Sequence, residues 1–233
     1  MRSLRIFLLP AELGQDFRKI WPAAAISNLG DGAMLAAGPL LVASITDDPL
    51  AVGAAAFVQQ LPWLLFALFS GALVDRLDRR VVVIAADIFR TAVLGSLGIA
   101  VLVGFSPLWL VYLTLFLLGT AETMADGAAG ALLVNAVPRE HLGKANARLT
   151  ATGTTANQLV GPPIGGLLFA LGTGVPLLVD AVTFAAAAAL ISRVAYRPPL
   201  NPHPVLRSGP TSVRACSGCG ITPAFARSGG RSW

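Results

Sequence analysis

The chain has 233 residues, a formal net charge of +5, 55% hydrophobic and 12% charged residues, and a mean hydropathy of +0.71. Ordinary soluble domains carry about 25% charged residues, so this composition excludes a water-soluble globule. A bilayer core of about 30 Å needs about 20 apolar residues per helix, and six such runs follow one another at 20–45, 50–74, 81–104, 107–134, 146–172 and 174–194. The expected fold is all-α and integral to the membrane, with a lead-in at 1–19, a six-helix bundle at 20–194 and a basic tail at 195–233.

The lead-in opens with a short apolar run, but Glu12, Asp16, Arg18 and Lys19 follow it without a small-residue cleavage site, so it does not read as a secretory signal. Basic residues then mark alternate connections. Arg18 and Lys19 precede the first run, Arg76, Arg79 and Arg80 lie between the second and third, Arg139, Lys144 and Arg148 between the fourth and fifth, and Arg193 and Arg197 after the sixth. The other connections, "TDDPLA", "GFSPL" and "GTGV", have none. By the positive-inside rule both termini are expected in the cytoplasm of a bacterial cell, with the protein multi-pass in the inner membrane.

In the first run, Asp31 lies about 16 Å deep at 1.5 Å per residue, flanked by Gly30 and Gly32. A charge at that depth is costly, which makes an intramembrane carboxylate a functional candidate. Hydrogen bonding to a neighbouring helix is the competing reading for it. Asp87 and Arg90 in the third run and Glu122 and Asp126 in the fourth fall in the cytoplasmic half, where Arg90 can pair with Asp87 one turn away or with Glu122 across the helix gap. Structural neutralisation and a proton-relay role are both open to these four. Asp180 in the sixth run is expected near the outer side.

Two motifs complete the pattern. "GALVDRLDRR" places Gly71, Asp75, Arg76, Arg79 and Arg80 in the spacing Gly-x-x-x-Asp-Arg-x-Gly-Arg-Arg, with Asp78 in place of Gly. "NQLVGPPIGG" places Gly161, Pro162, Gly165 and Gly166 in Gly-x-x-x-Gly-Pro-x-x-Gly-Gly, with Asn157 in place of the first Gly. Glycines four apart let two helices approach closely, and the Pro162-Pro163 pair removes two amide donors and kinks its helix.

These motifs resemble the loop and antiporter signatures of the major facilitator superfamily. "SNLGDG", "GTAETMADGAAGALL", "VPREHLGKANARL" and "LVDAVTF" make the chain similar to its branch of macrolide-efflux and enterobactin exporters, from about residue 17 to 195. The resemblance implies a twelve-helix transporter in which two six-helix halves rock about a central site, of which this chain would be the amino-terminal half, inactive alone. It implies proton-coupled efflux of a small amphipathic molecule, and a role for Asp75 in latching the inner gate against the missing carboxy-terminal half. The alternative is a stand-alone six-helix protein that self-associates or serves as an interaction module.

Other classes fit poorly. His141 and His203 are the two histidines and neither lies in a membrane run, so no buried Ser-His dyad is expected. No phosphate-binding Gly-rich loop with its Lys occurs. Cys216 and Cys219 form one CxxC where a structural zinc needs four ligands. No enzyme activity, metal, cofactor or nucleic-acid partner is expected; the partners are the lipid bilayer, a small-molecule substrate and the second half. The aromatics Trp63, Phe66, Phe69, Trp109 and Phe116 select no particular substrate. From Pro198 onward the chain is rich in Pro, Gly, Ser and Arg and holds no acid. Back-translated and read one frame over, this tail permits a Gly-Leu-x-x-Leu-Trp-x-His-Pro-like stretch similar to the linker before the seventh helix of that branch, so the tail is expected to be a frameshift product.

Overall fold

The computed structural model describes residues 13–74 and 77–195, with the backbone alone given for 67–74. The described chain is a bundle of α1 (Gly14–Ile45), α2 (Pro49–Val74), α3 (Arg79–Leu102), α4 (Leu108–Ala136), α5 (Leu142–Thr154), α6 (Gly161–Leu171) and α7 (Val175–Ile191). Without water to bind them, backbone amides inside a bilayer must be paired within their own segment, which makes helices of apolar runs. α1 to α4 are each long and apolar enough to cross a membrane. α7, with 17 residues, is at the short limit for a span.

Five of the six expected runs are regular helices, and the fifth is not. α5 and α6 are joined by a π-helical turn, Thr155–Val160, so the run is continuous but widened in its middle. Pro162 and Pro163 explain the change, since neither has an N–H to return to the preceding turn, and the helix restarts with them in its first turn.

The connections are short and capped by their own side chains. Asp48 accepts a 2.9 Å bond from the Leu50 amide at the start of α2. Asp78 accepts a 3.0 Å bond from the Arg80 amide and so caps α3. This residue, the one departure from the loop signature, therefore has a local task that Gly performs less well. Gly104, with φ of 79°, turns the chain between α3 and α4 in a conformation that other residues rarely adopt.

α1 is the centre of the packing. It lies against α7, α6 and the π turn, and touches α2, α4 and α5 as well, while α3 fills the space between α4 and α7. The contact with α6 is backbone on backbone. A methyl placed at Gly161 would strike the Gly32 backbone, and one at Gly165 would strike the Ala33 carbonyl. At Gly166 such a methyl meets nothing within 4 Å.

Apolar side chains pack in two groups. One, around Phe17, Ile20, Val83, Leu132 and Ile191, lies at the end of the bundle where the described chain begins and finishes. The other, around Leu41, Val42, Leu94, Val111 and Leu177, lies toward the opposite end. At the first end, Lys19 donates to the Arg193 carbonyl and Arg80 to that of Ser192, while Asp16 accepts from the Ala195 amide at 3.2 Å. The first two carbonyls beyond α7 thus receive two cations, which is the charge that a helix C-terminus favours.

Overpacking a close helix contact costs about 1–3 kcal/mol, so Gly165→Ala is expected to destabilise the detergent-solubilised chain by that amount and Gly166→Ala to leave it unchanged. Thermal unfolding followed by size-exclusion chromatography checks both, and equal melting curves for the two variants would contradict the α1–α6 contact.

Candidate functional site

Between the two apolar groups the helices bring their charged residues together. Asp31 comes from α1, Asp87 and Arg90 from α3, Glu122 and Asp126 from α4, and Asp180 from α7. Small residues make the room: Ala86, Ala121 and Ala125 form a compact patch between α3 and α4. A methyl at Gly30 would strike Asp180 and Thr183, which shows how closely α7 lies against α1 beside Asp31.

Arg90 is the organising residue. It is 5% exposed, and its guanidinium carbon lies 4.8 Å from the centre of the Phe184 ring. That distance is within cation–π range, an attraction worth up to about 2 kcal/mol when desolvated. Its Nε and Nη2 have no hydrogen-bond partner, and among the described residues no carboxylate stands at ion-pair distance from it. The expected pairing with Asp87 or Glu122 is therefore absent as a direct contact. Instead the guanidinium lies over a ring, and the five acids line the same two inner cavities as it does.

Asp87 is buried, at 5% exposure. One turn on, Thr91 donates to the Asp87 carbonyl at 2.8 Å and to the Ala181 carbonyl at 3.2 Å, tying α3 to α7 at this level. Asp180 is 2% exposed and accepts a 2.9 Å bond from the Thr183 hydroxyl. Asp31 and Glu122 are half-buried, and Asp126 is exposed.

Three cavities meet at these residues. One of about 150 Å³ is lined by Ser27, Asn28, Asp31, Asp87, Arg90 and Asp126 among others. A narrow one of about 20 Å³ lies between Asp31, Gln59, Arg90, Glu122 and Asp180. The largest, about 580 Å³, is an open groove between α2 and α4 whose walls include Gln59, Gln60, Trp63, Glu122 and Asp126. Glu122 takes part in all three. The first is polar and roomy enough to hold water.

The sequence-derived candidates divide accordingly. Asp31, Asp87, Arg90, Glu122 and Asp126 share one site. Gly161 and Gly165 stand beside it, on the α1 backbone next to Asp31, whereas Gly166 meets no neighbour. Pro162 is in the first turn of α6. Arg80 lies at the end of the bundle on the Ser192 carbonyl, just beyond α7, and Arg79 begins α3. Gly71 is in the last turn of α2, where the backbone alone is described. Asp75 and Arg76 lie outside the described residues, as does the tail from residue 196.

Asp180 is placed differently from expectation. Counted from the start of its own helix it is shallow. However, Gly174 packs on Gly98 and Leu102 near the end of α3, and Thr91 reaches Ala181. In that antiparallel register Asp180 is level with the third turn of α3 from its end and belongs to the charged layer. Phe184 and Gln59 were also beyond sequence reasoning, since an aromatic and an amide at those spacings read as ordinary packing.

The family profile described as transmembrane secretion effector matches residues 11–209, and the chain belongs to this family of the major facilitator superfamily. Among its relatives are an uncharacterized MFS-type transporter of Mycobacterium tuberculosis, 34% identical over 144 residues, which are 60% of this chain and 32% of the relative. The uncharacterized MFS-type transporter YdeG of Bacillus subtilis is 31% identical over 194 residues, 78% of this chain and 43% of its own. Macrolide efflux protein A of Streptococcus pyogenes is 26% identical over 155 residues, 66% of this chain and 38% of its own. The chain thus spans less than half the length of the curated relatives it matches. It is a multi-pass bacterial membrane protein.

Removing the one basic side chain that faces five acids should be felt by the fold. Arg90→Gln is expected to cost at least about 1 kcal/mol, a fall in Tm of about 2–4 °C for a chain of this size. Adding Glu122→Gln is expected to restore part of it. A single variant that melts with the parent chain would show that Arg90 does not hold the acids in place.

Proposed function

We propose that the chain forms one six-helix half of an exporter that expels a small amphipathic molecule, with proton entry as the driving exchange. The observation that carries this reading is the charged layer at mid-depth, closed above and below by apolar packing and open sideways through the α2–α4 groove. A bundle that needed charge for stability alone would pair it directly, because an unpaired buried ion is costly. Here Arg90 stands apart from its acids, and the acids border cavities. Such an arrangement suits groups that must bind and release protons or solute.

In this reading Asp31 is the coupling carboxylate, since it borders both inner cavities and sits where α6 presses on α1. Asp87, Glu122 and Asp126 form the route by which protons reach it, and Arg90 sets the charge balance that one proton or one solute shifts. The end of the bundle where the described chain begins and finishes faces the cytoplasm, in line with the basic loops. Asp75 latches that side against a second six-helix half, which supplies the other wall of the site. Residues 1–19, 20–194 and 195–233 are then lead-in, half-transporter and a frame-shifted tail. The efflux named for the Streptococcus pyogenes relative supports the direction of transport.

Inverted membrane vesicles carrying the chain together with a complementary six-helix half are expected to accumulate a fluorescent amphipathic dye when a pH gradient is imposed, and vesicles with the chain alone are not. Asp31→Asn is expected to abolish the accumulation at unchanged membrane insertion. Full uptake by that variant would remove Asp31 from the coupling, and uptake by the chain alone would favour a self-associating module instead.

A further inference from the structure

We infer that Phe184 is a positioning residue: its ring holds the Arg90 guanidinium beyond ion-pair distance of the acids that share its cavities, and so leaves their carboxylates open to exchange. The consequence for exchange rests on the transport reading above, which the inference deepens.

Arg90 has acids close at hand. Asp87 precedes it by three residues, a spacing at which side chains of one helix meet. Asp31, Glu122 and Asp180 line the narrow cavity with it, and Asp126 joins the wall of the 150 Å³ one. A buried guanidinium so surrounded gains by pairing, because an unpaired buried ion is costly. Yet among the described residues no carboxylate reaches it, and its Nε and Nη2 meet no acceptor. The contact that it does make is with the Phe184 ring, 4.8 Å from guanidinium carbon to ring centre.

The register of α3 and α7 puts the ring there. Thr91 donates to the Ala181 carbonyl at 3.2 Å and fixes the two helices at that level. They run antiparallel, and side chains lean toward the N-terminus of their own helix. Arg90 therefore leans toward the start of α3, while Phe184, three residues beyond Ala181, leans back to meet it. Phe184 is 1% exposed and packs in the apolar group of Leu94, Leu97 and Leu177, which leaves the ring no room to swing aside. Asp180, one turn before Phe184, is engaged by the Thr183 hydroxyl at 2.9 Å.

The chemistry suits the task. A guanidinium is planar, delocalised and weakly hydrated, and it stacks well on an aromatic face. Such a contact is worth up to about 2 kcal/mol when desolvated, and it occupies no carboxylate oxygen. A carboxylate in a bidentate pair with Arg90 would have its oxygens filled and be closed to a proton or a solute. Leucine in place of Phe184 keeps most of the packing and none of the attraction, so Arg90 would fall onto an acid.

The full 233-residue chain in nanodiscs provides the test. Mono-, di- and trifluorinated phenylalanine at position 184 drain charge from the ring face in steps while nearly keeping its shape. With Arg90 present, Tm is expected to fall in order of fluorine content; with Arg90→Met it is expected to stay level across the series. An equal fall with and without Arg90, or no fall in either, would overturn the positioning role. In the chain labelled at arginine nitrogen, the Arg90 Nε–H resonance, identified by its loss in Arg90→Lys, is expected upfield of the other arginines under the shielding of the ring. In Phe184→Leu it is expected to move downfield to the position of a carboxylate-bound arginine, and a shift only as far as an unpaired arginine would likewise overturn the role. The fluorinated chains decide the matter if Phe184→Leu does not fold. Dye accumulation by vesicles that also carry a complementary half is expected to fall in the same fluorine order. Arg90-dependent melting shifts without accumulation in any assembly would refute the transport reading alone, and accumulation indifferent to fluorine content would refute the part of Phe184 in exchange alone.

Discussion

The cost of holding charge in hydrocarbon governs this structure. Six ionisable groups are drawn from four helices into one layer, and the apolar packing on either side keeps that layer in place. Each carboxylate would be expensive on a lipid-facing surface. The helices therefore turn these positions inward and pack closely enough to keep them there. Gly30 against Asp180, Gly32 against the π turn, and Gly165 against Ala33 are the places where that closeness is bought with missing side chains.

The layer is incompletely neutralised by its own residues, and this separates it from a structural ion-pair network. Arg90 lies over Phe184 rather than against an acid, and its buried Nε and Nη2 meet no acceptor. A site so arranged has two sources of compensation left, protons and solute. Their exchange at one set of carboxylates is the simplest way for a bundle of this kind to link one to the other. The widened π turn between α5 and α6 lies on α1 one residue from Asp31. Such turns are frequent at functional sites, and here one places a less regular helix against the coupling position.

Much of this was legible in the sequence, for definite reasons. Charge is so rare in the chain that each acid within an apolar run stood out, and Asp31, Asp87, Arg90, Glu122 and Asp126 were found by depth counting alone. Gly161 and Gly165 were found because four-residue glycine spacing has one strong physical meaning. What failed was whatever depended on register between helices. Asp180 was assigned a depth from its own helix end, but α7 starts level with the last turn of α3, and only the packing of Gly174 on Gly98 reveals that. The π turn was foreseen as a kink and not as a widening. The place of Asp78 as a helix cap was hidden by its appearance as a defect in a motif.

The central claim is that the face between α2 and α4 borders a hydrated site, whereas the outer face of α6 borders lipid. Single cysteines at Gln60, Asp126 and Leu167, in a chain whose Cys216 and Cys219 are replaced by Ser, test it through labelling by a hydrophilic, membrane-impermeant maleimide in native membranes. Gln60→Cys and Asp126→Cys are expected to react, and Leu167→Cys, on an exposed and wholly apolar stretch of α6, is expected to stay unlabelled. Protection of positions 60 and 126 together with labelling at 167 would contradict the account.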